Sequence, residues 1–289
     1  MAPHPFTAPV SLRMVATDLD GTIVPHGRSI SARTHAALRA CTSAGVRVVY
    51  VTGRPPRWLG PVVDATEHAG FAICANGAIT LDLATDAIVS VHSIPPAAAL
   101  EVARRLRAVV PDVAFAVETP WGIRVELGYD SARGPVRVEG LVPGPDQSGE
   151  RREAATLEEL LDDDEPVIKL VAFSASSTPD GLLAAGLAHV RDLVAPTHSS
   201  PKVAILEMGP LGVSKGSSLD ELARNWGICA ADVVSFGDMP NDIDMLRWAG
   251  TSFAMSGGHP DAIAAAGHLA PPAAEDGVAQ VLEQLLLGR

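Results

Sequence analysis

A chain of 289 residues is long enough for one large domain or two ordinary ones, and with 47% hydrophobic and 19% charged residues it can bury a sizeable core. Its 22 basic and 34 acidic residues give a net charge of −12, spread along the sequence, which argues against nucleic acid and anionic membranes as partners. A site for an anionic ligand must therefore make its own local positive field.

The three cysteines, Cys41, Cys74 and Cys229, are far apart and lack zinc-type spacing. They read as small buried hydrophobes in a reducing compartment. Met1 to Arg13 contains three prolines and no continuous apolar stretch, so it reads as a loose lead-in rather than a signal peptide. No apolar run approaches the ~18 residues of a membrane span. A cytoplasmic protein is expected, either a monomer or a homodimer.

The first element is the apolar run Leu12 to Thr17, which ends abruptly in Asp18-Leu19-Asp20-Gly21-Thr22. Such a run reads as a buried parallel strand emptying into a loop. Ser31 to Ala44 reads as a helix, capped by Ser29 or Ser31 and stopped by Gly45. Val46 to Val51 is a second strand ending in Thr52-Gly53-Arg54, and Phe71 to Cys74 a third ending in Asn76-Gly77. This alternation is the rhythm of a Rossmann-like, doubly wound α/β sheet.

The rhythm breaks near Leu83. Ile88 to Ile94 and Val113 to Glu126 alternate like antiparallel strands, with a helix from Ala97 to Val109 between them. Asp130 to Asp164 is rich in Gly, Pro and charge, and its run Asp162-Asp163-Asp164-Glu165 reads as a solvated loop or helix end. Val167 to Phe173 and Val203 to Met208 are further strands, with a helix near Asp180 to Leu193. The α/β rhythm returns with a helix opening near Lys215, over Ser217 to Trp226, then a strand at Val233 to Phe236 and a helix at Asp242 to Ala249. Thr251 to Ala254 supplies the last strand and Gly277 to Leu287 the closing helix. The expected organisation is a core of residues 1–83 and 209–289, interrupted by an inserted α+β domain at 84–208.

Ligands of open parallel sheets bind at the carboxyl ends of the strands. This chain places Asp18, Asp20, Thr52, Asn76, Asp238 and Asp242 there, with Lys215 opening a nearby helix. Together they suit phosphoryl transfer, which needs a nucleophile, a metal, donors to the equatorial oxygens and an acid for the leaving group. Asp18 is a nucleophile that ionises at neutral pH and can also ligate Mg²⁺, with Asp238 as the second carboxylate. Asp20 suits general acid and base work. The Thr52 hydroxyl, the Gly53 N–H and Lys215 suit the phosphoryl oxygens. Asp242 suits a supporting place, orienting Lys215 or a metal-bound water. Asn76 and Arg54 are candidate substrate contacts, and Lys169, inside an apolar strand of the insert, is another. Glu207, Arg124 and Trp121 are weaker ones.

The motifs Asp18-Leu19-Asp20-Gly21-Thr22, Thr52-Gly53-Arg54, Lys215-Gly216 and Gly237-Asp238-Met239-Pro240-Asn241-Asp242 resemble, in order, the four signatures of the haloacid dehalogenase superfamily. The long insertion between the second and third resembles its Cof-type, subfamily IIB phosphatases. The likeness covers nearly the whole chain after Arg13 and extends to Asn76-Gly77-Ala78, Leu206-Glu207-Met208 and Glu275-Asp276-Gly277-Val278. It implies Asp18 as nucleophile and metal ligand, and Asp20 as acid/base that also ligates through its carbonyl. It further implies Thr52 and Lys215 on the phosphoryl group, Asp238 on Mg²⁺, and Asn241 and Asp242 in support. The insert would be a C2B-type cap that closes over the site and selects substrate. Ala254-Met255-Ser256-Gly257-Gly258-His259-Pro260 departs from the family, with glycines where Asn-Ala is common.

The expected activity is Mg²⁺-dependent hydrolysis of a small phosphorylated metabolite, a sugar phosphate or phosphorylated cofactor, through an aspartyl-phosphate. A phosphomutase would share these residues, and a phospho-accepting signalling domain would share some. Against the latter stand Asp20, which a long-lived phospho-switch would not want, and the large insert. No G-x-G-x-x-G follows the first strand, which argues against a nicotinamide enzyme.

Overall fold

The computed structural model describes residues 11–129, 150–162, 164–198 and 203–287. Residues 1–10 of the expected lead-in (Met1 to Arg13), most of the charged stretch from Asp130 to Asp164, and Asp163 of the acidic run lie outside the described residues.

The strands are β1 (Met14–Thr17), β2 (Arg47–Val51), β3 (Phe71–Cys74), β4 (Ile79–Asp82), β5 (Ala87–Val91), β6 (Ala114–Glu118), β7 (Gly122–Glu126) and β8 (Glu150–Ala154). They continue with β9 (Lys169–Phe173), β10 (Val194–Thr197), β11 (Ile205–Pro210), β12 (Val233–Gly237), β13 (Thr251–Met255) and β14 (His268–Ala270). The helices are α1 (Ala32–Ser43), α2 (Gly60–Thr66), α3 (Pro96–Val109), α4 (Leu157–Leu160), α5 (Pro179–His189), α6 (Lys215–Asn225), α7 (Ile243–Trp248), α8 (Pro260–Ala265) and α9 (Gly277–Leu287).

Two sheets result. The first has eight strands in the order β14-β13-β12-β1-β2-β3-β4-β5, parallel from β14 to β3 and antiparallel from β3 to β5. Its central strands are apolar on both faces. In β1, Met14 and Ala16 join Leu219, Leu222 and Met245 from α6 and α7, whereas Val15 packs with Leu38, Cys41 and Leu282 from α1 and α9. Strand side chains alternate, so an unbroken buried run demands cover on both sides. That requirement produces the doubly wound layering.

The second sheet has the order β10-β11-β9-β6-β7-β8 and is antiparallel except for β7 with β8. The helices α3, α4 and α5 cover one face through Val102, Leu106, Leu157, Leu160 and Leu182. The other face carries a smaller apolar cluster that includes Ala116, Val125 and Phe173. Lys169 shares the strand face of Val171 and Phe173, and register sets Glu118 opposite Lys169 and Glu207 opposite Val171. Three charged residues therefore stand on the face that lacks helices.

The architecture is the expected parallel α/β core with an α+β insert, but sheet membership differs in detail. The expected boundary between residues 83 and 84 falls inside the β4–β5 hairpin, and both strands extend the first sheet. The chain crosses just afterwards: Ile94 already bridges to Val167 and is buried in the second core. The helix expected over Asp180 to Leu193 ends at His189, where Val190 leaves helical geometry (φ −134°, ψ 1°) before the chain enters β10. The charged strand β8, Glu-Arg-Arg-Glu-Ala, forms the edge of the second sheet, and such charges blunt an open edge.

One turn ties the first sheet to the site. After β3, Ala75, Asn76 and Gly77 all have positive φ, at 50°, 57° and 111°. The first turn of α6 packs against them, with Ser218 Oγ donating to Gly77 O at 2.8 Å. A Cβ on Gly77 would stand 2.5 Å from Ser214 O. Gly77→Ala is therefore expected to destabilise the protein by about 2 kcal/mol or more in urea denaturation, from strain and backbone collision together.

Candidate active site

β1 ends in the first sheet's interior, so Asp18 emerges at the centre of its carboxyl edge, held by its own N–H donating to Phe236 O at 3.0 Å. The neighbouring β12 delivers Asp238 and, through a 3₁₀ turn over Pro240–Asp242, Asn241 and Asp242. α6 brings Lys215 as its first residue, after a capping box between Ser214 and Ser217. Segments up to 224 residues apart in sequence thus share one buried site.

Lys215 is its centre. Its side chain is fully buried, and Nζ donates to Asp18 Oδ1 and Asp242 Oδ1, both at 2.6 Å. Asp242 Oδ2 accepts from the backbone N–H groups of Asp238 and Met239 at 2.9 and 3.0 Å. Both Asp242 oxygens are thereby occupied, so this residue orients Lys215 and shapes the loop. Asp238 Oδ1 accepts from Thr22 Oγ1 at 3.2 Å. Gly21, at φ 86°, leaves room for the same carboxylate: a Cβ there would stand 2.2 Å from Asp238 Oδ2.

Against the cost of burial, Asp18 and Asp242 hold the Lys215 ammonium charged and raise its pKa. Burial pushes the Asp18 carboxyl up to about 7, opposed by Lys215 and reinforced by Asp242 and Asp20. Burial also raises Asp238 well above the carboxylate range, with Asp18 and Asp242 adding to it and Lys215 and Thr22 opposing. Three buried carboxylates and one ammonium leave an excess of negative charge, which is costly without a cation. Carboxylate oxygens of Asp18, Asp238 and Asp242 lie within 4.8 Å of one another. Since Asp242 is spent on hydrogen bonds, the oxygens left without a donor are Asp18 Oδ2 and Asp238 Oδ2. An all-oxygen pair of this kind suits a hard divalent cation that keeps several waters.

A second group of polar residues adjoins the first. Asn241 Nδ2 donates to Asn76 Oδ1 at 3.0 Å, and Asn76 Nδ2 donates to Glu207 Oε2 at 2.8 Å. Lys169 Nζ donates to the same Glu207 oxygen at 2.7 Å and to Gly53 O at 2.6 Å. A Cβ on Gly53 would stand 3.1 Å from Asn76 Oδ1. Thr52 is buried, its Oγ1 accepting from Arg54 N at 3.1 Å, and its hydroxyl proton remains available. Asn241 Oδ1 is buried without a hydrogen-bond partner. This group joins core residues to the insert.

Asp20 and Arg54 form a bidentate pair, Nε to Oδ2 at 2.7 Å and Nη2 to Oδ1 at 2.6 Å, and Arg54 Nη1 also donates to Trp58 O at 3.2 Å. Arg54, expected as a substrate contact, is here the partner of the expected acid/base. Two further sequence candidates stand elsewhere. Arg124 lies on the helix-covered side of the second sheet and donates to Leu160 O and Glu165. Trp121 is exposed at the β6–β7 turn.

The sequence reading overlooked two features. Thr22, which closes the first motif and carries no role of its own in the sequence, donates to Asp238. Arg57, in the 3₁₀ turn Pro56–Trp58 after β2, forms an ion pair with Glu118 at the end of β6, with both side chains buried. No local pattern signals that pair, although an acidic residue ending an apolar strand marks Glu118 as unusual. Cys74, pushed up to about 12 by burial with Lys169 opposing, is no nucleophile. Cys41 and Cys74 are buried as expected, whereas Cys229, at the start of a 3₁₀ turn before β12, is exposed against that expectation. Among the described residues no helix is long and apolar enough to cross a membrane.

A strand-end aspartate, a buried lysine and an acidic loop on a doubly wound sheet define a hydrolase-type site, and the comparisons with known proteins agree. The family model for haloacid dehalogenase-like hydrolases matches residues 15–282, and the chain belongs to that family. Among relatives, the 5-amino-6-(5-phospho-D-ribitylamino)uracil phosphatase YwtE of Bacillus subtilis is 26% identical over 96% of this chain and 99% of its own. The pyridoxal phosphate phosphatase YbhA of Escherichia coli is 26% identical over 89% and 92%. Among solved structures, the subclass IIB sugar phosphatase BT4131 superposes with a TM-score of 0.78 at 22% identity, covering 94% of this chain and 98% of that one. A haloacid dehalogenase-like hydrolase of B. subtilis does so with 0.79 at 23%, covering 94% and 99%.

The raised carboxyl pKa values have a measurable consequence. Between about pH 4 and pH 7 the native state binds more protons at Asp18 than the unfolded chain does, so this contribution to stability is lost as pH rises through 7. In EDTA, wild type is expected to lose stability relative to Asp18→Asn from about pH 5 to pH 8 in urea denaturation. Mg²⁺ is expected to restore the difference at the alkaline end, because a bound cation favours the ionised carboxylates.

Proposed function

We propose that this chain is a Mg²⁺-dependent phosphomonoesterase that hydrolyses a small phosphorylated metabolite through a phosphoryl group carried on Asp18. The observation that carries this reading is the pair of buried carboxylates Asp18 and Asp238, each with an oxygen that accepts no hydrogen bond, in a site anchored by Lys215 whose carboxylate oxygens lie within 4.8 Å of one another. Asp18 and Asp238 would hold the ion, with Asp242 in support through Lys215 and the loop. When bound, Mg²⁺ neutralises the carboxylates and the phosphoryl oxygens.

In the first step an Asp18 oxygen forms a bond to phosphorus as the ester P–O bond breaks, and Asp20 gives its proton to the departing oxygen. In the second step Asp20 takes a proton from water, whose oxygen bonds to phosphorus while the acyl-phosphate P–O bond breaks. Asp18 and inorganic phosphate are regenerated. Lys215, the Thr52 hydroxyl, the Gly53 N–H and the Asn241 amide stabilise the phosphoryl oxygens. Arg54 holds the Asp20 carboxylate in the free site; the incoming phosphoryl group competes for its guanidinium, and Asp20, freed of that cation, takes up from solvent the proton that it then gives to the leaving oxygen.

The insert, expected over residues 84–208 and entered in sheet terms just after β5, serves as a cap. Its contacts Lys169 to Gly53 O and Arg57 to Glu118 seat it on the core. Lys169, Glu207 and Asn76 form a polar wall suited to the non-phosphate part of a hydroxyl-rich or heterocyclic substrate. The relatives acting on a ribitylaminouracil phosphate and on pyridoxal phosphate are of this kind. A capped site excludes polymers.

Phosphate release from a panel of sugar phosphates and phosphorylated cofactors tests the reading. It is expected with Mg²⁺, to vanish in EDTA, and to vanish in Asp18→Asn while urea denaturation shows that variant folded. Wild-type turnover by Asp18→Asn would sink the mechanism. Transfer of the phosphoryl group to a second sugar position without free phosphate would indicate the phosphomutase instead.

A further inference from the structure

Outside the site described above, a second set of metal-ligating side chains spans the seam between insert and core. Asp180 lies in the first turn of α5, His198 follows β10, and His259 precedes α8. His198 Nε2 stands 3.1 Å from Asp180 Oδ1, and His259 Nε2 stands 3.5 Å from the same oxygen. All three ligating atoms lie within 4.8 Å of one another. His198 is 1% exposed, and its Nδ1 has no hydrogen-bond partner, so an exposed carboxylate is what its other nitrogen faces.

We propose that Asp180, His198 and His259 bind one divalent transition-metal ion of the zinc class, and that this ion pins the insert to the core loop between β13 and α8, which hydrogen-bonds to the Asp238 backbone. Tetrahedral bonds of about 2.0–2.1 Å to nitrogen and oxygen imply ligand–ligand edges of about 3.3 Å. The two edges through Asp180 Oδ1 match that spacing, and a modest imidazole rotation closes the third. Two imidazoles with one carboxylate select Zn²⁺ or Co²⁺, whereas the oxygen pair of Asp18 and Asp238 selects Mg²⁺. The exposed side of Asp180 gives the ion an entry path and a solvent ligand.

The His259 tautomer permits it. His259 Nδ1 now accepts from Asp261 N at 3.2 Å, which places the ring proton on Nε2. Asp261 Oδ2 stands 3.9 Å from the same Nδ1. Ligation through Nε2 moves the proton to Nδ1, and the Asp261 carboxylate takes over as its acceptor, the outer partner that ligating histidines use.

The site also accounts for the unusual segment around Gly257-Gly258-His259. A Cβ on Gly258 would stand 2.6 Å from Asp238 O, and His259 N donates to that same carbonyl at 2.7 Å. His259 is therefore fastened directly to the Asp238 backbone, while Asp180 and His198 belong to the insert. An ion across them resists separation of cap and core and slows turnover, a consequence that rests on the phosphatase reading, although the binding itself does not.

Titration of metal-free full-length protein with Co²⁺, in saturating Mg²⁺, tests it. The expected result is one equivalent with the intense visible absorption of four-coordinate cobalt, displaced by Zn²⁺. It should be retained in Asp18→Asn and lost in His198→Asn, His259→Asn and Asp180→Asn. The last is exposed and should not disturb the fold. Zn²⁺ should slow phosphate release by wild type and leave that of Asp180→Asn unchanged. No cobalt spectrum, a spectrum that survives all three seam variants, or one lost in Asp18→Asn overturns the site. Binding without slowing overturns the pinning.

Discussion

The buried Lys215 ammonium is the interaction on which the rest depends. It sits between Asp18 and Asp242 with no exposure to solvent, and an unpaired charge there would cost several kcal/mol. Each partner does a second job. Asp18 ends the central strand of the core, and Asp242 spends its other oxygen on the N–H groups of Asp238 and Met239. Lys215 itself begins the helix that resumes the core after the insert. One ammonium therefore registers the first strand, the returning helix and the acidic loop against one another. The chain can leave the core for more than a hundred residues and still close the site on its return.

The same group sets the electrostatics. One fixed positive charge among three carboxylates is too little to keep them all ionised, which is why burial raises Asp18 and Asp238. The protein thus solves the problem posed by its acidic surface in two ways: a lysine that is always charged, and a carboxylate pair that demands a cation. The insert adds its own cation, Lys169, which reaches Gly53 O from the helix-free face of the second sheet. Strand register explains that reach, since Lys169, Glu118 and Glu207 share one face.

Much of the core was legible because its strands end where apolar runs meet acidic or glycine-rich turns. Asp18, Thr52, Asn76 and Asp238 were found at strand ends for that reason, and Ser31 was legible as a cap because its hydroxyl precedes an apolar helical pattern. What was not legible depends on pairing between distant segments. Local alternation marks Ile88 to Val91 as a strand but does not tell which sheet it joins, and it joins the first. Strand β8 is masked by its charges and β14 is too short, at three residues, to show a period. The Arg57–Glu118 pair joins residues 61 apart, and although Glu118 stands out at the end of an apolar strand, nothing local points to Arg57 as its partner. The engagement of Asp20 by Arg54 was hidden for the opposite reason: both were recognised, each for another role.

The most direct test of the central claim is to quench the protein during turnover of a ³²P-labelled substrate and locate the label after proteolysis. The account predicts a hydroxylamine-labile phosphoryl group on the peptide containing Asp18, absent in Asp18→Asn. Turnover with no covalent label under conditions where release of the phosphoryl group is slowed, or label on another residue, would contradict it.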